Sequence, residues 1–439
     1  MNNTENNTNL LQALSSYASA GWAPFHMPGH KRNPALDAAA GGVALPYALD
    51  ITEIDGFDNL QNPQGILLDL SRRAAAHWEC DAAWVGVNGG TGAVLAGIRA
   101  MTSQGDTVLV ARNSHMSVFH AIELCGLRPV FLEPAWLPDW GIYGALSRQT
   151  LEAALRAHPE AALCIVTSPT YEGILSPVDC PIPLFVDAAH GAAVLADRGA
   201  RLPLPRADLA AVSLHKTLPA LTQTALLLAQ GPRADKYRDR ISRAMNTFQT
   251  SSPSYVLLAS VARCLDLLQA HQSEWFAAWD RRLDAFYAHA RRWRNLRLFS
   301  APGHDRGKLL LRCHAEHAAA FLRARKIEPE YARKNLLLLL TSCCDTEESM
   351  ARLTAALDEL DRDCPPAPAP VPRPAPIPPE TRLLIPDLCE SVPAGQAPGR
   401  VCAEYIVEYP PGVPLCVPGQ RITEIDSIRG HDFVRVAKE

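Results

Sequence analysis

The sequence predicts an α/β protein organised on one large, mostly parallel sheet. Three observations carry that reading. Between Ala83 and Leu228, seven short apolar runs alternate with helix-length stretches, the order expected of strands joined by crossover helices. The first run hands over to Asn88-Gly89-Gly90-Thr91-Gly92 and then to a stretch rich in Ala and Leu, a strand-to-helix turn. At 439 residues, 48% hydrophobic and 20% charged, the chain has enough apolar material for two or three domains around a sizeable core.

Taken in order, residues up to about Ser16 form a short amphipathic arm behind a polar start, Asn2 to Asn7. That start, and the lack of any apolar run near the roughly 18 residues of a membrane span, predict neither a signal peptide nor an anchor. Pro24 to Lys31 (PFHMPGHK) is too rich in Pro and Gly for a helix and predicts a positioned loop. Asp50 to Gly65 is acidic and turn-rich, with Asp55 and Asp58 readable either as substrate-facing or as solvated loop acids. Apolar spacing from Ile66 to Trp78 predicts a helix. The seven strands follow at Trp84 to Val87, Thr107 to Val110, Pro129 to Leu132, Leu163 to Val166, Leu184 to Val186, Leu209 to Val212 and Ala225 to Leu228.

Composition narrows the partners. A net charge of -4 offers no footprint for nucleic acid or an anionic membrane, and does not repel a cationic substrate. Twelve cysteines are scattered without a C-x-x-C pair, only Cys343 and Cys344 being adjacent, which predicts reduced thiols in a cytosolic protein and neither disulfide framework nor zinc site.

The chemistry concentrates at strand ends, where open α/β sheets place ligands. Ser213-Leu214-His215-Lys216 puts one lysine at a turn between two predicted strands. A half-buried amine is costly unless its charge is removed or shared, and a Schiff base with an aldehyde cofactor does this, so the motif is a candidate pyridoxal phosphate anchor. An ordinary capped surface loop is the alternative for these four residues alone. Free amides at Gly90, Thr91 and Gly92, opening a helix, suit a phosphate. Asp187, in Asp187-Ala188-Ala189-His190-Gly191, can pair with a pyridinium nitrogen, and a helix N-cap is its simpler role. His115, after Arg112-Asn113-Ser114, can lie on one ring face while Ala189 leaves room on the other; a capping or core histidine is the alternative. Lys216 follows Asp187 by 29 residues, enough for a helix and one strand, so both fall at neighbouring strand ends.

Eight motifs occur in order: Phe25-His26-x-Pro28-Gly29-His30-Lys31, Thr52-Glu53-Ile54-x-Gly56-x-Asp58, Val87-Asn88-Gly89-x-Thr91, Arg112 to His115, Asp187-x-Ala189-His190-Gly191, Ser213-x-His215-Lys216, Thr250 to Tyr255 (TSSPSY) and Tyr409 to Pro414 (YPPGVP). Together they resemble the Orn/Lys/Arg decarboxylase family along nearly the whole chain. The resemblance implies a fold-type-I pyridoxal phosphate enzyme, like the aspartate aminotransferase superfamily, that removes CO2 from lysine, arginine or ornithine. It implies Lys216 as the Schiff-base lysine, Asp187 as the partner of the pyridine nitrogen and His115 as the stacking imidazole. Gly90, Thr91 and Ser213 are implied phosphate contacts, and His215 is implied to sit between phosphate and substrate. Thr250 is implied to reach the phosphate of a second subunit, making a homodimer or higher homo-oligomer the catalytic unit. Glu330, before the apolar run Leu336 to Leu340, resembles the glutamate that takes the substrate's distal charge. Three positions depart from the family pattern: Gly90 stands for a hydroxyl residue, Ala188 for a glutamate, and Gln420 for a glutamate after Val417-Pro418-Gly419. The resemblance is to the short form, without an N-terminal receiver-like domain.

The expected division is 1–65 for arm and loops, 66–250 for the large cofactor-binding domain, 251–364 for a helical connection and small α+β domain, 365–380 for a semi-rigid Pro-rich linker, and 381–439 for a tail carrying the Tyr-Pro-Pro-Gly segment. An aminotransferase or other lyase would share fold and lysine. A non-catalytic binding protein would have lost Lys216 or Asp187, and both are present.

Overall fold

All seven predicted runs become the strands of one sheet. The computed structural model describes residues 9–33, 35–36, 44–197, 207–370, 373, 376–378, 381–383, 385–423, 428 and 430–438. The polar start Asn2 to Asn7 lies outside them, as do Val371, Pro372, Pro374, Ala375, Pro379 and Glu380 of the Pro-rich stretch. The large sheet comprises β1 (Ala82–Gly86), β2 (Thr107–Ala111), β3 (Arg128–Leu132), β6 (Leu163–Thr167), β7 (Leu184–Asp187), β8 (Leu209–Ser213) and β9 (Ala225–Ala229), with a two-stranded ribbon of β4 (Trp136–Leu137) and β5 (Ile142–Tyr143) between β3 and β6. Its order is β1-β9-β8-β7-β6-β2-β3. The pairs β2/β3, β2/β6, β6/β7 and β7/β8 are parallel, and β9 runs antiparallel to both β1 and β8.

Successive residues of these strands enter opposite cores, as the two-residue side-chain period demands. Cys164, Val166, Leu184, Val186, Ala210 and Val212 pack on one face. Leu163, Ile165, Phe185, Leu209 and Ala211 pack on the other. Burial on both faces explains why the runs are apolar throughout. The helix Gly89–Met101 lies so close to the sheet that a Cβ on Gly97 would stand 2.3 Å from Phe185 Cε2.

Two local readings differ. The predicted turn after β8 contains one helical turn, Leu214–Thr217, too short to show a helical period in sequence. The helical connection expected within 251–364 opens as a single 36-residue helix, Tyr255–Ala290, capped where the Ser254 hydroxyl accepts from Leu257 N. That segment contains no Gly or Pro to end it. At its start the buried Tyr255 hydroxyl donates to the carbonyls of Phe57 and Asp58 at 2.9 Å each. Asp58 itself is a loop clasp: its carboxylate accepts from the backbone amides of Asn59, Gln64, Gly65 and Leu67. Burial works to raise its pKa, and these four amides outweigh it and hold the carboxyl below its usual range.

A smaller antiparallel sheet follows, in the order β10 (Arg297–Leu298), β11 (Lys308–Arg312), β13 (Leu336–Leu340), β12 (Tyr331–Arg333). Two short ribbons close the chain: β14 (Cys389–Pro393) with β17 (Phe433–Ala437), and β15 (Ile406–Glu408) with β16 (Val413–Cys416). Gln420 is buried there and its side-chain oxygen accepts from Val417 N at 3.2 Å, a structural role. Among the described residues no helix is long and apolar enough to cross a membrane.

Candidate active site

The carboxyl ends of the parallel strands converge on one cleft of ≈ 300 Å³. Parallel register sets Thr167 opposite Asp187, and Asp187 opposite Ala211, two residues before Ser213. Lys216 then lies in the helical turn directly after β8. Of the residues singled out in the sequence, Gly90, Thr91, His115, Asp187, Ala189, His190, Ser213, His215 and Lys216 all line this cleft. Gly92, Thr250 and Glu330 do not. A Cβ on Gly92 would meet Asn88 Cβ at 3.0 Å, so that glycine serves the packing of the turn. Thr250 is exposed, its hydroxyl accepting from Ser252 N. Glu330 is exposed as well, and touches the cleft at one remove by accepting a short hydrogen bond from the Tyr171 hydroxyl.

Each lining group has a local cause for its position. His115 is both a cap and a cleft residue: its Nδ1 accepts from Ser117 N at 3.2 Å at the start of the helix Met116–Cys125. Its other edge is backed by Gly412, whose φ of 81° and whose hypothetical Cβ, 2.8 Å from His115 Cδ2, leave glycine as the residue that fits. The tail is fastened here: Met116 N donates to Gly412 O at 2.9 Å, and the buried Arg112 guanidinium donates to Pro414 O at 2.7 Å. Asp187 Oδ1 accepts from Ala189 N at 3.1 Å, and His215 Nδ1 donates to Thr224 O at 3.1 Å. Ala188, beside them, is 1% exposed and belongs to the core. A Cβ on Gly90 would lie 2.4 Å from Ser213 Oγ, so the space a side chain would take at position 90 is filled by the Ser213 hydroxyl.

Electrostatically the cleft disfavours cations. Burial lowers the pKa of Lys216, opposed by Asp187 and Glu330. Burial also lowers His115, with Asp187 opposing, and His215, with the Thr224 carbonyl opposing. His190, 6% exposed, is pushed well below its usual value by burial and then by Lys308 and Lys216. Its Nε2 lies 3.1 Å from Lys216 Nζ and its Nδ1 3.4 Å from Lys308 Nζ. Burial and the Glu330 carboxylate raise the Tyr171 phenol, keeping it a neutral donor.

Sequence reasoning missed Tyr171 and Lys308. Tyr171 follows an ordinary strand-to-loop stretch with no marker of its own. Lys308 had a signal in the sequence: a lysine heading the apolar run Leu309 to Leu311, where a buried charge needs a reason.

Comparison with known proteins matches residues 8–278 to the Orn/Lys/Arg decarboxylase major domain and residues 371–439 to the Orn/Lys/Arg decarboxylase C-terminal domain. The chain is 31% identical to the uncharacterized protein YaaO of Bacillus subtilis (strain 168), over 95% of this chain and 92% of that protein. It is 30% identical to an arginine decarboxylase of Halalkalibacterium halodurans, over 95% and 91% respectively. Among solved structures, the constitutive lysine decarboxylase of E. coli superposes with a TM-score of 0.79 over 98% of this chain and 82% of that one. At 18% identity that likeness concerns the fold, as does the TM-score of 0.54 to a serine palmitoyltransferase of Sphingomonas wittichii, at 15% identity over 67% of this chain and 75% of that one.

Proposed function

The chain belongs to the Orn/Lys/Arg decarboxylase family and is an amino-acid decarboxylase; from that premise we propose that it uses pyridoxal phosphate to remove CO2 from arginine, lysine or ornithine, yielding the corresponding amine. The observation that carries the reading is the lining of one cleft by a buried carboxylate, Asp187, and a largely buried amine, Lys216, beside the amides that open a helix. Relatives aligned over nine tenths of their length and named arginine decarboxylases favour arginine among the three.

The residues present fit the cofactor. Gly90, Thr91 and the Ser213 hydroxyl offer donors to a phosphate at a helix start. Thr167 Oγ1 lines the cleft buried and without a protein partner, a polar atom suited to a ligand. Asp187 suits a protonated ring nitrogen, and Lys216 is the lysine that would hold the aldehyde carbon. When bound, pyridoxal phosphate supplies an electron sink for the pair left on Cα as CO2 departs.

The chain's own residues then have separable tasks. Asp187 holds the proton on the ring nitrogen. His115, kept neutral by burial and anchored by Ser117 N, covers one face of the site, and the small Ala189 and His190 bound the other. Lys216 or His215 delivers the proton that replaces the carboxylate at Cα. Glu330, through Tyr171, meets the distal ammonium or guanidinium group. Thr250, exposed and outside its own cleft, serves a second copy's phosphate, which makes a homodimer the working unit. Twelve free cysteines support a reducing, cytoplasmic setting.

The test is to load the purified protein with pyridoxal phosphate, supply each basic amino acid, and identify the amine by mass spectrometry. Borohydride should bleach the bound cofactor and fix its mass on the peptide containing Lys216. Labelling of another lysine overturns the Lys216 assignment, and release of no amine from any of the three overturns the activity.

A further inference from the structure

Lys308 has no task in the reaction so far, yet it is 1% exposed and aimed at the site. It heads β11 in the small sheet and crosses to the large one because Gly173 lacks a side chain: a Cβ there would stand 2.7 Å from Lys308 Cγ. The backbone is locked at this crossing, with Asp305 N donating to Gly173 O at 2.8 Å and Lys308 N to Asp305 O at 3.0 Å. The result is a row of three nitrogen groups, Lys308 Nζ, the His190 ring and Lys216 Nζ, with separations of 3.4 and 3.1 Å.

We propose that this row is a proton relay in which Lys308, acting through His190, recharges Lys216 during turnover. The proposal rests on the decarboxylase reading above and assigns the source of the proton that reading requires. An ammonium has three donors and no lone pair, and a neutral imidazole has one donor nitrogen and one acceptor nitrogen. While Lys216 is free of the cofactor and His190 is neutral, the lysine at the ring's donor nitrogen must therefore accept as a free amine, and the lysine at its acceptor nitrogen can donate as an ammonium. Two such arrangements exist. They interconvert when Lys308 Nζ passes a proton to His190 Nδ1 while His190 Nε2 passes its own to Lys216 Nζ, which conserves charge and leaves Lys216 able to act as an acid. Each turnover replaces a carboxylate by hydrogen and so consumes one proton. After that proton has been delivered, Lys216 takes a replacement from solvent and the row runs backward to restore Lys308.

The surroundings favour easy exchange. Lys308 faces Asp305, Glu330 and Lys216; Lys216 faces Asp187 and Glu330; His190 faces both lysines, His115 and His215, with the Tyr171 ring 4.5 Å away. Burial lowers both lysines, so each gives up its proton more readily than an exposed ammonium does.

The experiment compares the pyridoxal phosphate-loaded wild type with Lys308→Met and Lys308→Arg. Lys308→Met should lower kcat about 100-fold, the ordinary scale of a lost general acid, with KM little changed. The absorbance titration of its bound cofactor should move to higher pH, because a neighbouring positive charge is gone. Lys308→Arg keeps that charge with no proton to give, so it should restore the titration and not the kcat. A kcat within about twofold of wild type in Lys308→Met, or recovered in Lys308→Arg, overturns the relay and leaves the decarboxylase intact. If neither variant folds, 15N spectra of the His190 ring in the loaded wild type saturated with the amine product, which displaces Lys216 from the cofactor, decide: a ring protonated on one nitrogen supports the proposal, and a doubly protonated ring overturns it. Wild type that releases no CO2 from any basic amino acid fails at the earlier step, and the relay falls with it.

Discussion

At the Lys216 end of the cleft the polar groups are set by the large sheet, whereas at the Glu330 end they hang from a short edge strand and a Pro-rich loop. Asp187 is the last residue of β7 and Ser213 the last of β8, both central strands and both buried. Glu330 precedes β12, the edge of the small sheet, and Tyr409 is 79% exposed in its loop. A group fixed by a central strand is positioned by the same packing that folds the protein. A group on an edge can vary without disturbing the core, which is where a family that handles several basic amino acids has room to change.

The comparison breaks most visibly at Asp187. Asp187→Asn keeps the shape and loses the charge, and we expect kcat to fall on the order of 100-fold or more with cofactor retained; near-normal turnover would remove that carboxylate from the chemistry. A pH scan probes the packing between the two ends. His304, 2% exposed with Nε2 on the Glu172 carbonyl, is pushed down to about 4, mainly by burial. Between its unfolded value near 6.5 and about 4, the unfolded chain binds the extra proton, so stability falls as pH drops through that window, by on the order of 3 kcal/mol. The other buried imidazoles, His115, His190 and His215, act in the same direction. Thermal unfolding followed from pH 7 to pH 4 should show this slope, and His304→Gln should flatten it.

Gly90→Ser sharpens the comparison inside the rigid end. The added Cβ meets Ser213 Oγ, and overpacking of about 1 to 3 kcal/mol should appear as weaker cofactor retention. Adding Ser213→Ala should return most of it; additive losses in the double variant would show that the two side chains do not compete for one space. Glu330→Gln gives the smallest expected effect. Water around the exposed carboxylate screens its charge, so kcat/KM should fall about tenfold, at the low end for a charged hydrogen-bond partner. A fall above about 100-fold would mean that a second copy covers Glu330 in the working enzyme, and an unchanged preference among the three amino acids would move distal recognition elsewhere.

Much of this was legible in the chain because it is local. A buried parallel strand must be apolar, its end must turn, and ligand groups there announce themselves within four or five residues, as at 88–92, 187–191 and 213–216. The double role of His115 was only half legible: its cap is local, but Gly412, almost 300 positions away in sequence, sets the wall behind it. The Asp58 clasp was illegible, since four amide partners depend on how its loop closes.

The sequence by itself determined the seven-stranded α/β sheet, whose strands are written in local period and turn chemistry, and its ordered set of motifs pointed to the family and to the lysine, aspartate and histidines at the strand ends, where each short segment taken alone leaves an alternative open. Only the tertiary structure decided that Ser213 fills the space left by Gly90, that Tyr171 links Glu330 to the cleft, and that Lys308 reaches His190 across 118 positions of chain. Those contacts join segments with no shared pattern, and they exist because the small sheet docks beside the large one closely enough for a glycine at 173 to make room for a lysine.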